Sequence, residues 1–291
     1  MARVKASSLA GRWYAGDATA LREQVDGLLA AAGPPPISGP LVGLVVPHAG
    51  YVYSGRAAAV GYATLRTAAY RRAVIIAPSH FSRFGGVALL DCAGFSTPLG
   101  TVPIDTDGVA ALVGRPLLHA DADPYAPEHS LEIQLPLLQR VLPEVSVLPM
   151  LVGQLAGDDY RQLADALRAL ADPGTVFIVS SDFVHYGWRF DYLPFPSSAP
   201  EPVRAGLRDL DRGAIERVCA GDAEGFERYV AATGATICGR APIRLFLTMT
   251  GPDTPGTLLT YYTSLDVTGD YEHCVSYASI AFPRSSRAPA G

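Results

Sequence analysis

Short apolar runs alternate along the chain with longer stretches in which apolar residues recur every three or four positions. The runs at 41–46 (Leu41-Val42-Gly43-Leu44-Val45-Val46), 73–77, 87–91, 145–151, 175–180, 257–265 and 275–282 have strand length and little polar alternation, the mark of strands covered on both faces. Between them, residues 17–32 place Leu21, Val25, Leu28 and Leu29 on one helical face. Residues 131–142 do the same with Leu131, Leu135, Leu138 and Leu142, and Pro136 marks a kink or an early helical turn. Residues 158–170 and 203–218 read as further helices, stopped by Asp172-Pro173-Gly174 and by Gly221, and another starts near Pro242. Apolar strands alternating with helices predict an α/β fold with a mainly parallel central sheet flanked by helices.

No internal repeat interrupts this pattern. The proline-rich connection at 33–40 and the irregular loop at 193–202 are too short for domain linkers, so residues 1–291 are expected to form a single domain. An irregular lead over 1–10 precedes it, and a disordered tail over 284–291 follows.

Composition narrows the classes. At 291 residues and 49% hydrophobic, the chain can bury a full core. Its net charge of −5, with no basic block, argues against nucleic-acid and membrane-surface partners. The first residues lack a continuous apolar segment, so no secretory signal is expected. No apolar run approaches the roughly 18 residues of a membrane span, and a cytoplasmic location is expected. Cys92, Cys219, Cys238 and Cys274 lie far apart, which predicts free thiols and no zinc ribbon.

The chemistry lies after the strands. Pro47-His48 follows the run at 41–46, Pro78-Ser79-His80 follows 73–77, and Asp182 and His185 follow 175–180. In an open α/β sheet, ligands bind outside the carboxyl ends of the strands, so these side chains can converge. Glu128, His129 and Glu132 stand where the helix of 131–142 begins, and Cys238-Gly239 precedes another helix. A lone histidine at a strand end is more often a hydrogen-bonded structural group. Four of the six histidines at matching positions point instead to one site. His119 and His273 have no such placement and read as structural or surface groups. Cys238 taken alone reads as a buried thiol. Gly50, Gly55, Gly187 and Gly239 read as turn residues, with Ser54-Gly55 as a turn. Tyr51, Tyr53, Tyr186 and Trp188 suit either core or pocket wall. Two or three histidines with one anionic ligand and open positions suit iron, copper or zinc. A histidine outside the ligand set could move protons near neutrality. No nucleophile elbow, Walker loop or G-x-G-x-x-G follows any strand, which weakens hydrolase and nucleotide readings.

Seven motifs occur in order: AGRWY, PHAGYVYSG, APSHF, EHSLEIQLP, VSSDFVHYG, ICGRAPI and CVSYASIAF. Together, over roughly residues 10 to 282, they resemble the Memo family, the AmmeMemoRadiSam system protein B of prokaryotes. The resemblance implies a fold similar to LigB-type class III extradiol dioxygenases. It implies His48, His80 and Cys238 as metal ligands, Cys238 standing where the dioxygenases use a glutamate. It also implies His185 as an acid–base group, His129 as a second pocket histidine, and Asp182 beside the metal. Phe81 and Leu9 replace histidines of the animal members, and the first of these changes makes the pocket rim more apolar. A metal-dependent oxidoreductase holding iron or copper is the first functional expectation. A small-molecule or peptide ligand and a link to AMMECR-type and radical SAM proteins accompany it. The alternatives are a peptide- or protein-binding module, with Arg56 and Arg240 offering contacts to an anion, and a zinc hydrolase using His129 or Asp182 as base.

Overall fold

The structure, a computed structural model, describes residues 3–196 and 199–284. Its strands are β1 (Val4–Lys5), β2 (Leu41–Val46), β3 (Arg72–Pro78), β4 (Val87–Leu89), β5 (Gly94–Thr97), β6 (Gly100–Pro103), β7 (Leu118–Ala120), β8 (Ser146–Val152), β9 (Thr175–Ser180), β10 (His185–Tyr186), β11 (Thr257–Thr263) and β12 (Cys274–Pro283). The helices are α1 (Ala18–Ala31), α2 (Tyr51–Ala63), α3 (Thr106–Leu112), α4 (Leu135–Val141), α5 (Asp159–Arg168), α6 (Pro200–Cys219), α7 (Ala223–Thr233), α8 (Arg240–Thr250) and α9 (Leu265–Thr268).

The central sheet runs β10-β12-β2-β9-β3-β8-β4-β7, with β11 paired to β12. Its middle strands β2, β9, β3 and β8 are mutually parallel. The parallel character stops at both flanks, where β12 lies antiparallel to β2, and β4 antiparallel to β8. A short connection explains one flank. Only α9 and its turns separate β11 from β12, too little chain for a crossover, so the two strands pair antiparallel. Strand alternation then assigns the layers. Val46 meets α2 at Gly61, while Gly43, of opposite parity, meets α8 at Phe246. Helices therefore cover both faces of one mixed α/β unit, as the apolar strands require. A second small sheet, β1-β5-β6, ties the lead to the body.

Several expected boundaries move. The helix of 131–142 is a 3₁₀ turn, Glu132–Gln134, continued by α4 with Pro136 in its first turn, where proline costs no backbone hydrogen bond. The strand expected over 257–265 ends at Thr263, because Asp266 turns back to accept from the Thr263 amide at 2.9 Å. Ser54-Gly55 is no turn but lies inside α2. Arg284, expected in the tail, is anchored by its amide to the Pro40 carbonyl at 2.8 Å. Its guanidinium donates to the Asp172 and Thr175 carbonyls. The rest of the expected tail, 285–291, lies outside the described residues, as do 197–198 of the loop at 193–202. Among the described residues, no helix is long and apolar enough to cross a membrane.

Gly43 is a sequence-level necessity of this packing. A Cβ there would stand 2.6 Å from the Phe177 carbonyl oxygen and 2.9 Å from the Phe246 ring. Gly43→Ala is expected to cost about 1–3 kcal/mol through overpacking, read as a lower urea midpoint with an unchanged m-value.

Candidate metal centre

The parallel strands β2, β3 and β9 end on the same side, and each delivers a polar residue two positions past its end. His48 follows Val46, His80 follows Pro78, and Asp182 follows Ser180. The segment 128–130 comes to the same place from outside the sheet, because the Ser130 hydroxyl donates to the Pro78 carbonyl at 2.8 Å. This convergence puts one ring nitrogen from each of His48, His80 and His129 within 4.8 Å of the others. The His80 and His129 rings stack at 4.6 Å, and His48 meets both edge-on at 5.2 and 5.4 Å.

Hydrogen bonds fix how two of these rings present themselves. The Ser180 hydroxyl donates to the Ser130 carbonyl at 2.6 Å, and it accepts from the Gln134 amide at 2.9 Å. Its proton is thus committed, so the contact of 2.9 Å with His48 Nδ1 requires Nδ1–H to donate. That leaves His48 Nε2 with a lone pair. Glu128 does the same for His80, taking its Nδ1–H at 2.8 Å and its backbone amide at 2.6 Å. Burial would raise the Glu128 carboxyl, but hydrogen bonds from the His80 ring and amide and from Ser130 outweigh it, bringing the pKa down to about 2. Glu128 is therefore an ionised acceptor behind a histidine, the arrangement that orients imidazole ligands toward metals. His129 Nδ1 lies 3.3 Å from the same carboxylate but makes no hydrogen bond, and it is buried.

Burial pushes three of the imidazoles, His48, His129 and His185, toward neutrality. His48 falls well below its usual value because of desolvation and the neighbouring His80, His129 and His185. His129 and His185 are each pushed down to about 4, by burial first and then by nearby histidines. Neutral rings with free nitrogens are the form that binds a metal. The residues present therefore fit a divalent transition metal.

Cys238 stands against this group. Its Sγ lies 3.2 Å from His48 Nε2 and receives the Asp182 amide at 3.3 Å. Burial, reinforced by Asp182, pushes the thiol well up. The S–H is therefore retained and donates to the His48 lone pair. The family resemblance implies Cys238 as a metal ligand and His129 as a second pocket histidine. By distance, His129 joins the three-nitrogen group, and Cys238 touches it through His48.

Asp182 accepts from the His48 amide at 2.8 Å, joining the loops after β2 and β9. Burial raises its carboxyl to about 7, against hydrogen bonds from the His48 and Ala49 amides. His185 sits on β10, its backbone held on both sides by the Thr236 hydroxyl. Its ring meets Phe190 at 5.0 Å, and its Nε2 is buried without a partner.

A cavity of about 470 Å³ adjoins the group where Trp13 packs 4.4 Å from the His129 ring, and its lining includes the apolar or aromatic Ala49, Tyr53, Phe190 and Tyr277 and the polar Arg12, Asp270 and His273. A second opening of about 310 Å³ reaches His80 and Cys238 past Phe81 and Arg83. Phe81 is 62% exposed at that rim, the apolar edge expected there. Of the two arginines considered for anion binding, Arg240 is paired with Glu227, and Arg56 lies 4.0 Å over the Tyr262 ring. Tyr51 and Tyr186 are core, Tyr53 is pocket wall, and Trp188 packs on His273. His119 packs against Phe84.

Glu128 was visible only as part of a helix start, and Trp13, Gln134 and Ser180 carried no signal as site residues. Their partners lie far away in sequence, His80 being 48 residues from Glu128.

Comparison with known proteins agrees with this architecture. The family model for Memo-like proteins matches residues 5–281. Protein MEMO1 of Danio rerio is 34% identical over 292 residues, covering 94% of this chain and 95% of that protein. MEMO1 family protein MK0963 of Methanopyrus kandleri is 33% identical over 295 residues, covering 96% and 99%. Among solved structures, uncharacterized protein JW3007 from Escherichia coli K12 superposes with a TM-score of 0.55 at 14% identity, covering 83% of this chain and 99% of that one. That likeness speaks for the fold alone. The match over almost the whole chain, and relatives a third identical and covered over 95% and 99% of their own length, make this chain a member of the Memo-like protein family.

Proposed function

We propose that this protein is a metal-dependent oxidoreductase in which His48, His80 and His129 hold iron or copper, with zinc as the next choice. The observation that carries the reading is the group of three imidazole nitrogens within 4.8 Å, two of them on rings turned by Ser180 and Glu128 so that Nε2 carries a lone pair, that of His48 being shared with the Cys238 thiol. A bound metal of this type supplies redox or Lewis-acid chemistry at open positions. The chain's own groups do the rest. The 470 Å³ cavity receives the organic ligand, and Trp13 and Phe190 exclude water from the histidines. His185 Nε2, buried and unpartnered, holds or passes a proton. Asp182 keeps His48 in place through its amide. Val52 at 70%, Trp188 at 65% and Phe81 at 62% exposure support a second reading, in which a partner protein covers this rim.

Elemental analysis of untagged protein prepared without oxygen tests the first reading. Near-stoichiometric iron or copper is expected, falling in His80→Ala and His129→Ala. Cys238→Ser is expected to retain more metal than His129→Ala. Stoichiometric zinc would redirect the chemistry toward hydrolysis. Protein that is metal-free and cannot be loaded would sink the metal reading and leave partner binding.

Proton linkage gives a second test. His48, His129 and His185 have lowered values when folded. Their stabilising effect is therefore complete above the unfolded value of about 6.5 and is lost as pH falls through the folded one, about 4 for His129 and His185. Asp182 and Asp211 work oppositely. Burial raises them to about 7 and about 6, so their effect is present at low pH and lost as pH rises. Three groups outweigh two. The metal-free protein should lose stability on acidification from about pH 6.5 to 4. Urea midpoints across that range should fall more steeply for Asp182→Asn and less steeply for His129→Gln.

A further inference from the structure

Glu132 has no role in the proposed chemistry, yet it is 1% exposed and carries more hydrogen bonds than any metal-centre residue described above. Its Oε1 accepts from the Ser7 hydroxyl at 2.7 Å, the Leu9 amide at 3.0 Å and the Tyr14 hydroxyl at 2.9 Å. Its Oε2 accepts from the Ser8 hydroxyl at 2.8 Å, the Ser8 amide spans both oxygens at 3.0 Å, and Lys5 Nζ lies at 3.5 Å. Every donor lies within residues 5–14. The carboxylate itself stands three residues after His129, in a turn closed by the Ile133 amide on the His129 carbonyl at 3.1 Å.

We infer that Glu132 is a positioning residue of the metal centre: it latches residues 5–14 to the His129 segment and thereby sets Trp13 over the His129 ring. The lead between its two latched ends is a tight turn. The Arg12 and Trp13 amides both donate to the Leu9 carbonyl, and the Gly11 amide donates to the Tyr14 carbonyl, each at 2.9 Å. Trp13 therefore moves with Leu9 and Tyr14, the residues that Glu132 grips. Its carbonyl accepts from the Tyr51 amide at 2.9 Å, which joins the same turn to the start of α2. A charged acceptor gives bonds stronger than neutral pairs, and removing it would leave several buried donors unmet. The turn of residues 9–14 is then a wall of the cavity and a determinant of what reaches the histidines.

Only two tryptophans occur in the chain, Trp13 and Trp188, so a Trp188→Phe background makes Trp13 the sole reporter. In it, Glu132→Gln is expected to shift Trp13 emission to the red and raise its quenching by acrylamide severalfold. The far-UV circular dichroism of the body should be retained. Tyr14→Phe removes one latch bond without touching the charge and is expected to give a smaller change of the same sign. Copper(II) added to the background protein is expected to quench Trp13, and less so in Glu132→Gln at equal metal occupancy. This last arm rests on the proposed metal site, whereas the emission and acrylamide arms do not, so the two ideas fail separately. Unchanged emission and acrylamide accessibility in folded Glu132→Gln would overturn the latch. If Glu132→Gln does not fold, unchanged values in Tyr14→Phe would overturn it instead.

Discussion

One hydroxyl proton organises the centre. Ser180 ends β9 and can donate once, and it donates to the Ser130 carbonyl. Everything else at that oxygen must therefore donate to it, including His48 Nδ1 and the Gln134 amide. The amide is itself oriented, because its oxygen accepts from the Tyr62 hydroxyl at 3.0 Å and its nitrogen also donates to the Pro47 carbonyl at 3.1 Å. A chain of buried donors and acceptors, each used in one direction, runs from α2 to His48 Nε2. Buried networks of this kind are costly when incomplete, so the tautomer of His48 is protected by the packing of the core beneath it.

The strand ends were readable in sequence, because a parallel core forces uninterrupted apolar runs and the break in each run marks where it meets solvent. His48, His80 and Asp182 were found on that basis alone. Helix α2 was not, since Ser54-Gly55 has the local chemistry of a turn. Gly55 answers to a different constraint: a Cβ there would stand 2.9 Å from the Leu28 methyl, so the residue permits α1 and α2 to approach. The helix is also buried on several sides, which removes the one-sided stripe by which a helix is recognised. Helix α7 was missed although Asp222 and Gly234 cap it, because Gly221 had already served as the stop for α6. The small sheet that holds the lead depends on pairing Val4 with Gly94, which no local pattern announces.

The same limit governed the ligand assignment. Strand ends give direction to a side chain, but the partner that fixes a ring is set by the fold. Glu128 fixes His80 from 48 residues away. The family resemblance supplied candidates for these roles, and only the distances between ring nitrogens distinguish His129 from Cys238 as a neighbour of both other histidines.

Those two residues are not independent. With the thiol protonated, Cys238 uses the His48 lone pair as its acceptor. If His48 held a metal, that lone pair would be taken, and the thiol would need another acceptor or would lose its proton. The Asp182 carbonyl, 3.5 Å from the sulfur, is the acceptor at hand, and the Asp182 amide, 3.3 Å away, favours the thiolate. Burial and the neighbouring carboxylate oppose the thiolate until a cation arrives to offset them. In the proposed metal site the proton on sulfur would thus enter the binding equilibrium, although Cys238 touches only one of the three histidines.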